Sequence, residues 1–194
     1  MDCSKFNPTV FEMEFKDFIG ICALAVSSAA IYFSHRTSKR QRETASAALL
    51  TTFAMAFDSQ ESRLKRRIFA QKLKFTPDLE TIDIFYLDTV LDLFEEIGYL
   101  VRRGILDRGM VMNHFYWYLE RYYRAVTHPI DLIQIGRDKY AAPGLYQEFA
   151  WMVGELKKVR EKECGGSYGS LDDDAVGQFL LNEIQLVPPS ESSL

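Results

Sequence analysis

The chain has 194 residues, 47% of them hydrophobic and 13% aromatic, which is ample for a packed core, while only 11 Gly and 6 Pro argue against a turn-rich β architecture. Its net charge of −4 is unevenly placed: ten Lys/Arg face three Asp/Glu between Arg36 and Lys74, whereas Gly165 to Leu194 holds five acids and no base. Cys3, Cys22 and Cys164 have neither paired nor metal-type spacing, which suits free thiols in a reducing compartment rather than a disulfide framework, with Cys22 expected to pack as a small hydrophobe.

From the N-terminus, the first element is an apolar run. Between Asp17 and His35 only Cys22 and Tyr32 can ionise, and both weakly. The 17 residues FIGICALAVSSAAIYFS make a helix of about 25 Å, short but sufficient for a span. Tyr32 and Phe33 stand where an interfacial aromatic belt would be, and Lys16 can snorkel. Arg36, Lys39, Arg40 and Arg42 follow the run, whereas Glu12, Glu14 and Asp17 precede it. The positive-inside rule then predicts an extracytoplasmic N-terminus and a cytoplasmic C-terminal domain. A signal peptide would carry the reverse charge order; a buried core helix is the stronger rival, because the run is short and contains Ser27 and Ser28.

No break signal precedes Asp58, so the anchor helix is expected to continue through the Ala-rich stretch that ends near Phe57. Asp58 or Ser59 then caps SQESRLKRRIFAQKLK, with Leu64, Ile68 and Leu73 roughly on one side. Thr76-Pro77 reads as a helix start for LETIDIFYLDTVLDLFEEIGYLVRRG, whose Leu87, Leu91, Phe94, Ile97 and Val101 form an apolar stripe. Gly104 suits a left-handed C-cap, and Asp107 an N-cap for MVMNHFYWYLERYYRAV. A short irregular or helical stretch reaches Ala141. Pro143 is expected to open the next helix, with Leu145, Phe149, Met152 and Leu156 inward and Gly165-Gly166 as its stop. After one or two amphipathic turns around Val176 to Leu186, VPPSESSL reads as disordered.

The expected fold class is therefore all-α: an N-terminal transmembrane helix followed by an antiparallel helical bundle. The divisions are 1–17 extracytoplasmic, 18–34 transmembrane, 35–164 helical bundle and 165–194 a largely disordered acidic tail.

The block LFEEIGYLVRRGILDRGMVMNHFYWYLERYYRAV, followed by LYQEFAWMVGEL, resembles an uncharacterised bacterial family known only as a domain of unknown function. The likeness covers roughly residues 40 to 160. Its most specific part is Arg102, Arg103, Gly104, Ile105, Leu106 and Asp107, then Tyr118 and Tyr146. The resemblance implies an N-terminal membrane segment before a helical domain. It implies no activity, substrate or catalytic residue.

Few constellations suggest chemistry. His114 precedes Tyr118 and Arg121 at helical spacing, but a histidine among aromatics is more often a hydrogen-bonded boundary residue. Glu95 and Glu96 point about 100° apart on a helix and cannot act as a catalytic pair. Asp88, Asp92 and Glu96 line one face as a solvated stripe without His or Cys ligands, so no metal and no cofactor is expected. Nucleophile elbows, phosphate-binding loops, CxxC pairs and HExxH are absent from the sequence.

Two surfaces remain. Tyr116, Trp117, Arg121, Tyr123 and Arg124 form a candidate partner patch, since Tyr, Trp and Arg dominate interface hot spots. Arg36, Lys39, Arg40 and Arg42, with Arg63, Arg66 and Arg67 further on, are candidate contacts to anionic lipid. Nucleic acid is disfavoured, because base-stacking aromatics do not interleave the cations. Asp172, Asp173 and Asp174 offer a further possibility, an acidic tail docking on the basic helix as a self-masking switch.

Within the apolar run, Gly20, Ala23, Ser27 and Ala30 form a small-residue face suited to helix packing in a bilayer. The leading expectation is a membrane-anchored interaction module with a protein partner or a second copy. The alternative is a membrane-perturbing stress or defence effector, and an enzyme with an unrecognised site comes third.

Overall fold

The computed structural model describes residues 8–76, 78, 82, 84, 88–163, 165 and 171–186, with side chains from 18 onward except 19 and 89. Seven α-helices and no strand occur among the described residues. The chain divides into two units, Met1–Ala45 and Ser46–Leu194.

Helix α1 spans Pro8–Asp58, with no interruption between Phe33 and Ala45. In the first unit its described side chains are exposed on every face, including Phe18, Ile21, Leu24, Val26 and Ile31 at 63–70%. Cys22 is exposed rather than packed. Among the described residues no helix is long and apolar enough to cross a membrane. The acids and lysine that flank the run on its N-terminal side, and Cys3 and Cys164, lie outside the described side chains.

The second unit begins where α1 turns amphipathic. Ser46, Leu50, Phe53 and Phe57 recur at three- and four-residue steps and are all buried. Ser46 Oγ accepts the Asp107 N–H at 2.8 Å, tying this stretch to the start of α4 (Arg108–Thr127). Helix α2 (Gln60–Phe75) is capped by Ser59, which accepts from the Ser62 N–H.

The inner face of α2 is Arg66, Phe69, Ala70 and Leu73, whereas Leu64 and Ile68 are exposed at 46% and 42%. Of the expected Leu64, Ile68 and Leu73, only Leu73 thus faces the core. Phe69 and Ala70 join it there, and Arg66 follows them inward at the same helical phase. Thr76 is the C-cap of this helix rather than the N-cap of the next, and Pro77 lies outside the described residues.

Helix α3 covers Asp88–Arg102, shorter than the expected helix from residue 79. Upstream, Ile82 is irregular and Ile84 is a buried residue in a 3₁₀ turn. The Gly136 position shows why: an added Cβ would lie 2.8 Å from Ile84, which plugs the gap beside that glycine. Val90, Leu91, Phe94, Ile97 and Val101 face the core; Leu87 is outside the described residues. The helix ends as expected at Gly104 (φ 68°), with Ile105 N–H reaching Leu100 O and Gly104 N–H reaching Val101 O.

Asp107 then caps α4, accepting the Met110 N–H at 2.9 Å. Helix α5 (Leu132–Lys139) follows, capped by Asp131.

Helix α6 (Gln147–Glu163) begins four residues after Pro143, not at it. Tyr146, at φ 52°, turns the chain immediately before it. The N-terminal cap comes from a distant carboxylate: Glu95 on α3 accepts the N–H groups of Glu148 (3.2 Å) and Phe149 (2.7 Å). Gly98 lies one turn along α3, where a Cβ would meet the Glu148 carbonyl at 2.5 Å. A glycine is required for this close approach of α3 and α6.

Phe149, Met152, Val153 and Leu156 face inward, and Leu145 is only half-buried. Gly165 (φ 69°) lies beyond the helix as expected of a stop; Gly166 is outside the described residues. The expected tail is a folded element over 173–184: α7 (Asp173–Ile184) buries Val176, Phe179, Leu180 and Glu183. Its apolar face supplies what an acidic composition conceals. The terminal VPPSESSL is outside the described residues.

Phe94 is at the centre of the core, within 6.4 Å of the rings of Phe57, Phe115, Tyr122 and Phe149.

Candidate functional site

The most unusual group in the second unit is a buried ion pair. Arg66 on α2 is 2% exposed, and its Nε and Nη2 donate to the two Glu183 oxygens of α7 at 2.7 and 2.8 Å. Tyr122 on α4 donates its hydroxyl to Glu183 at 2.6 Å, and Arg66 Nη1 donates to the Phe57 carbonyl at 3.2 Å. The guanidinium also stacks 3.9 Å from the Phe57 ring centroid.

Burial works against the Arg66 charge. Hydrogen bonding to Glu183 and the proximity of Tyr122 and Glu183 outweigh it, so the pKa lies above its ordinary value. Burial, and then the Glu183 charge, hold the Tyr122 hydroxyl well above 10.0, keeping it a donor. The cluster fixes four elements together and offers no opening to a ligand. It removes Arg66 from the lipid-contact set, because a bidentate carboxylate and three aromatic or carbonyl partners enclose it. It also shows how the acidic segment docks on the basic helix: through Glu183 and apolar residues. Asp172 caps its own helix, and Asp173 turns to α4.

The remaining basic candidates are distributed differently. Arg36, Lys39, Arg40 and Arg42 are exposed on α1, Lys39 within 3.9 Å of Glu43. Arg63 and Arg67 are half-buried, Arg63 lying 3.7 Å from Asp58.

The aromatic patch divides. Tyr116 is buried, because its ring belongs to the core face of α4, and its hydroxyl donates to Glu120 at 3.1 Å. It is therefore not available as outer surface. Tyr123 is half-buried against Phe149 at 5.5 Å. Trp117 remains 45% exposed, edge-on to Phe179 of α7 and capped by the Arg121 guanidinium 4.2 Å from its ring. Arg124 pairs with Asp173 at 3.1 Å.

His114 is exposed, and its Nδ1 lies 3.0 Å from the Met110 carbonyl of its own helix, one turn back and away from Tyr118 and Arg121. Asp88 accepts from the Tyr146 hydroxyl, and burial with the Asp88 charge raises the Asp92 pKa. Among the described residues no group of three or more His, Cys, Asp or Glu could hold a metal. In the first unit, Gly20 has no neighbour within 4 Å of a would-be Cβ, and Ala23 and Ser27 share a shallow apolar groove with Phe18, Cys22 and Val26. Ala30 is exposed.

Two cavities flank Arg124. One, of about 250 Å³ between α4 and α6, is lined by Tyr116, Glu120, Tyr123, Thr127, Val153 and Lys157 among others. The other, of about 270 Å³, lies where the C-terminal ends of α2 and α4 meet the start of α7. Its polar lining is Lys74, Arg124, His128 and Asp173, over Leu73, Ala125, Val176 and Leu180. Sequence reasoning missed Arg66–Glu183, Glu95 and this second cavity, since each joins residues 49 to 117 positions apart. One signal was present: Arg66 shares the phase of Phe69, Ala70 and Leu73.

Residues 18–156 match a family described as a domain of unknown function, DUF4760, and the chain belongs to that family. No curated protein and no solved structure matches it. The match ends within α6, so α7 lies beyond it.

Proposed function

For this member of the DUF4760 family, we propose a membrane-anchored interaction module, held by the segment 18–34 with its N-terminus outside and the packed helical unit on the cytoplasmic face. The observation that carries this is the exposure of the first unit. Phe18, Ile21, Leu24, Val26, Ile31, Tyr32 and Phe33 are 62–70% exposed among the described residues of that unit. Transferring seven such side chains from water into lipid would contribute roughly 10–20 kcal/mol.

Phe18–Ser34 contains no Asp, Glu, Lys or Arg, and Arg36, Lys39, Arg40 and Arg42 follow it. That charge order supports the orientation. The described helix alone falls short of a span, so the reading rests on the sequence of the whole run together with its exposure.

Alkaline extraction of membranes tests the anchor: the full chain should stay in the pellet, and release into the supernatant would overturn it. A membrane-impermeant maleimide on intact cells should label Cys3 and spare Cys164; the opposite pattern would reverse the orientation. The half-exposed Trp117 under Arg121 supports a protein partner or second copy on the packed unit, with Trp117→Ala as its test in crosslinked pull-downs.

A second reading, a membrane-perturbing effector, is favoured by the open surface at Gly20 and the groove at Ala23 and Ser27. Overexpression should then raise dye permeability, and Gly20→Leu should relieve it.

A further inference from the structure

The cavity between the ends of α2, α4 and the start of α7 already holds an oxyanion of its own. One oxygen of the Asp173 carboxylate lies 3.1 Å from Arg124 Nη2, and the other lies 3.3 Å from His128 Nε2. Two nitrogen donors from α4 and its C-cap thus grip the two oxygens of one carboxylate, which is 68% exposed at the cavity mouth. A third cation lines the same space. Lys74 Nζ lies 3.2 Å from where a Cβ of Gly177 would be, so the missing side chain lets the amine rest against α7.

Lys74 makes no ion pair among the described residues, and Arg124 Nε is buried with no hydrogen-bond partner. Asp172 is turned away, accepting the Ala175 N–H as the cap of α7. Three basic side chains therefore face a single acid, over an apolar floor of Leu73, Ala125, Val176 and Leu180. The N-terminus of the twelve-residue α7 adds positive potential at the same edge.

We propose that this cavity binds a phosphate-type dianion, with Lys74, Arg124 and His128 as its donors and Asp173 as a built-in competitor that the ligand displaces. A tetrahedral anion offers the third oxygen that a carboxylate lacks, and so engages Lys74 as well. A volume of about 270 Å³ admits the phosphate with a small organic group on the apolar floor. The source is a soluble phosphate monoester or the headgroup of an anionic lipid, since both present the same dianion. The proposal does not depend on the anchor.

The test uses the full chain in dodecyl maltoside at low ionic strength, titrated calorimetrically with phenyl phosphate, and the full chain in nanodiscs with or without phosphatidic acid. Lys74→Gln should weaken binding by about tenfold or more, the loss expected of one charge-assisted hydrogen bond. Asp173→Asn should tighten it several-fold, a gain that no structural role of Asp173 would produce. Binding of phenyl phosphate points to the soluble source, and protection of Lys74 from acylation only in phosphatidic acid nanodiscs points to the lipid. Absence of both in the wild type and in Asp173→Asn, or binding insensitive to Lys74→Gln, overturns the proposal.

Discussion

The two units invert the usual relation between polarity and burial. In Met1–Ala45 the described large apolar side chains, among them Phe18, Leu24 and Phe33, stand in the open, whereas Ser46–Leu194 encloses an arginine and a glutamate among its aromatic rings. The difference teaches what each unit needs. An exposed apolar helix has no internal way to bury its surface, and on the proposed reading an apolar medium or another helix completes it. A buried ion pair is satisfied by its own partners and specifies which helix packs on which, contributing little net stability over an apolar pair.

The largest expected effect breaks the second half of this contrast. Glu183→Ala leaves the Arg66 guanidinium buried without its counter-ion and should cost about 3–5 kcal/mol in urea unfolding followed by the fluorescence of Trp117 and Trp151. The double change Arg66→Met with Glu183→Leu should recover most of it; a failure to recover would show that the pair itself is a net stabiliser.

The first half is weakened by Leu24→Asp. A carboxylate at the middle of the apolar run costs about 2.5–3.5 kcal/mol in a bilayer and should lower the fraction of chain that stays in the pellet on alkaline extraction. The unfolding free energy of the packed unit should stay within about 0.5 kcal/mol of the wild type, because Leu24 is 70% exposed. A matching loss of stability would mean that the units are not separable.

A smaller effect sharpens the picture of the packed unit. Gly98→Ala drives a Cβ into the Glu148 backbone and should cost about 1–3 kcal/mol by the same unfolding assay.

The smallest comes from the borrowed cap of α6, where Glu95→Gln should lose about 1 kcal/mol at pH 7. Burial raises the Glu95 pKa above its ordinary 4.5, with the backbone donors of Phe149 and Glu148 opposing. The folded state therefore binds the proton more readily than the unfolded chain. Wild-type stability relative to Glu95→Gln should rise as pH falls from 7 toward 4.5, and a fall over that range would contradict the assignment.

Local signals are legible in the amino-acid order. The Ser59 and Asp107 caps, the Gly104 turn and the α3 stripe all follow from chemistry within one or two helical turns. The start of α6 is not, because its cap is Glu95, more than fifty residues earlier. Nor is the inner face of α2: Leu64 and Ile68 compete with Phe69, Ala70 and Leu73 for one helix, and only the elements packed against it choose. Of the surface candidates, Trp117 remains outside and Arg121 is half-buried over its ring, while Tyr116 and Arg66 are claimed by the core.

By itself the sequence determined an all-helical chain, the apolar run ahead of its basic cluster, and most helix ends, since these depend on propensity, capping and composition. Tertiary structure alone decided that Arg66 and Glu183 are partners, that α7 folds back, and that Lys74, Arg124 and His128 share one cavity. Those are pairings across long stretches of chain, and their free energies exist only once packing has excluded water from between the partners.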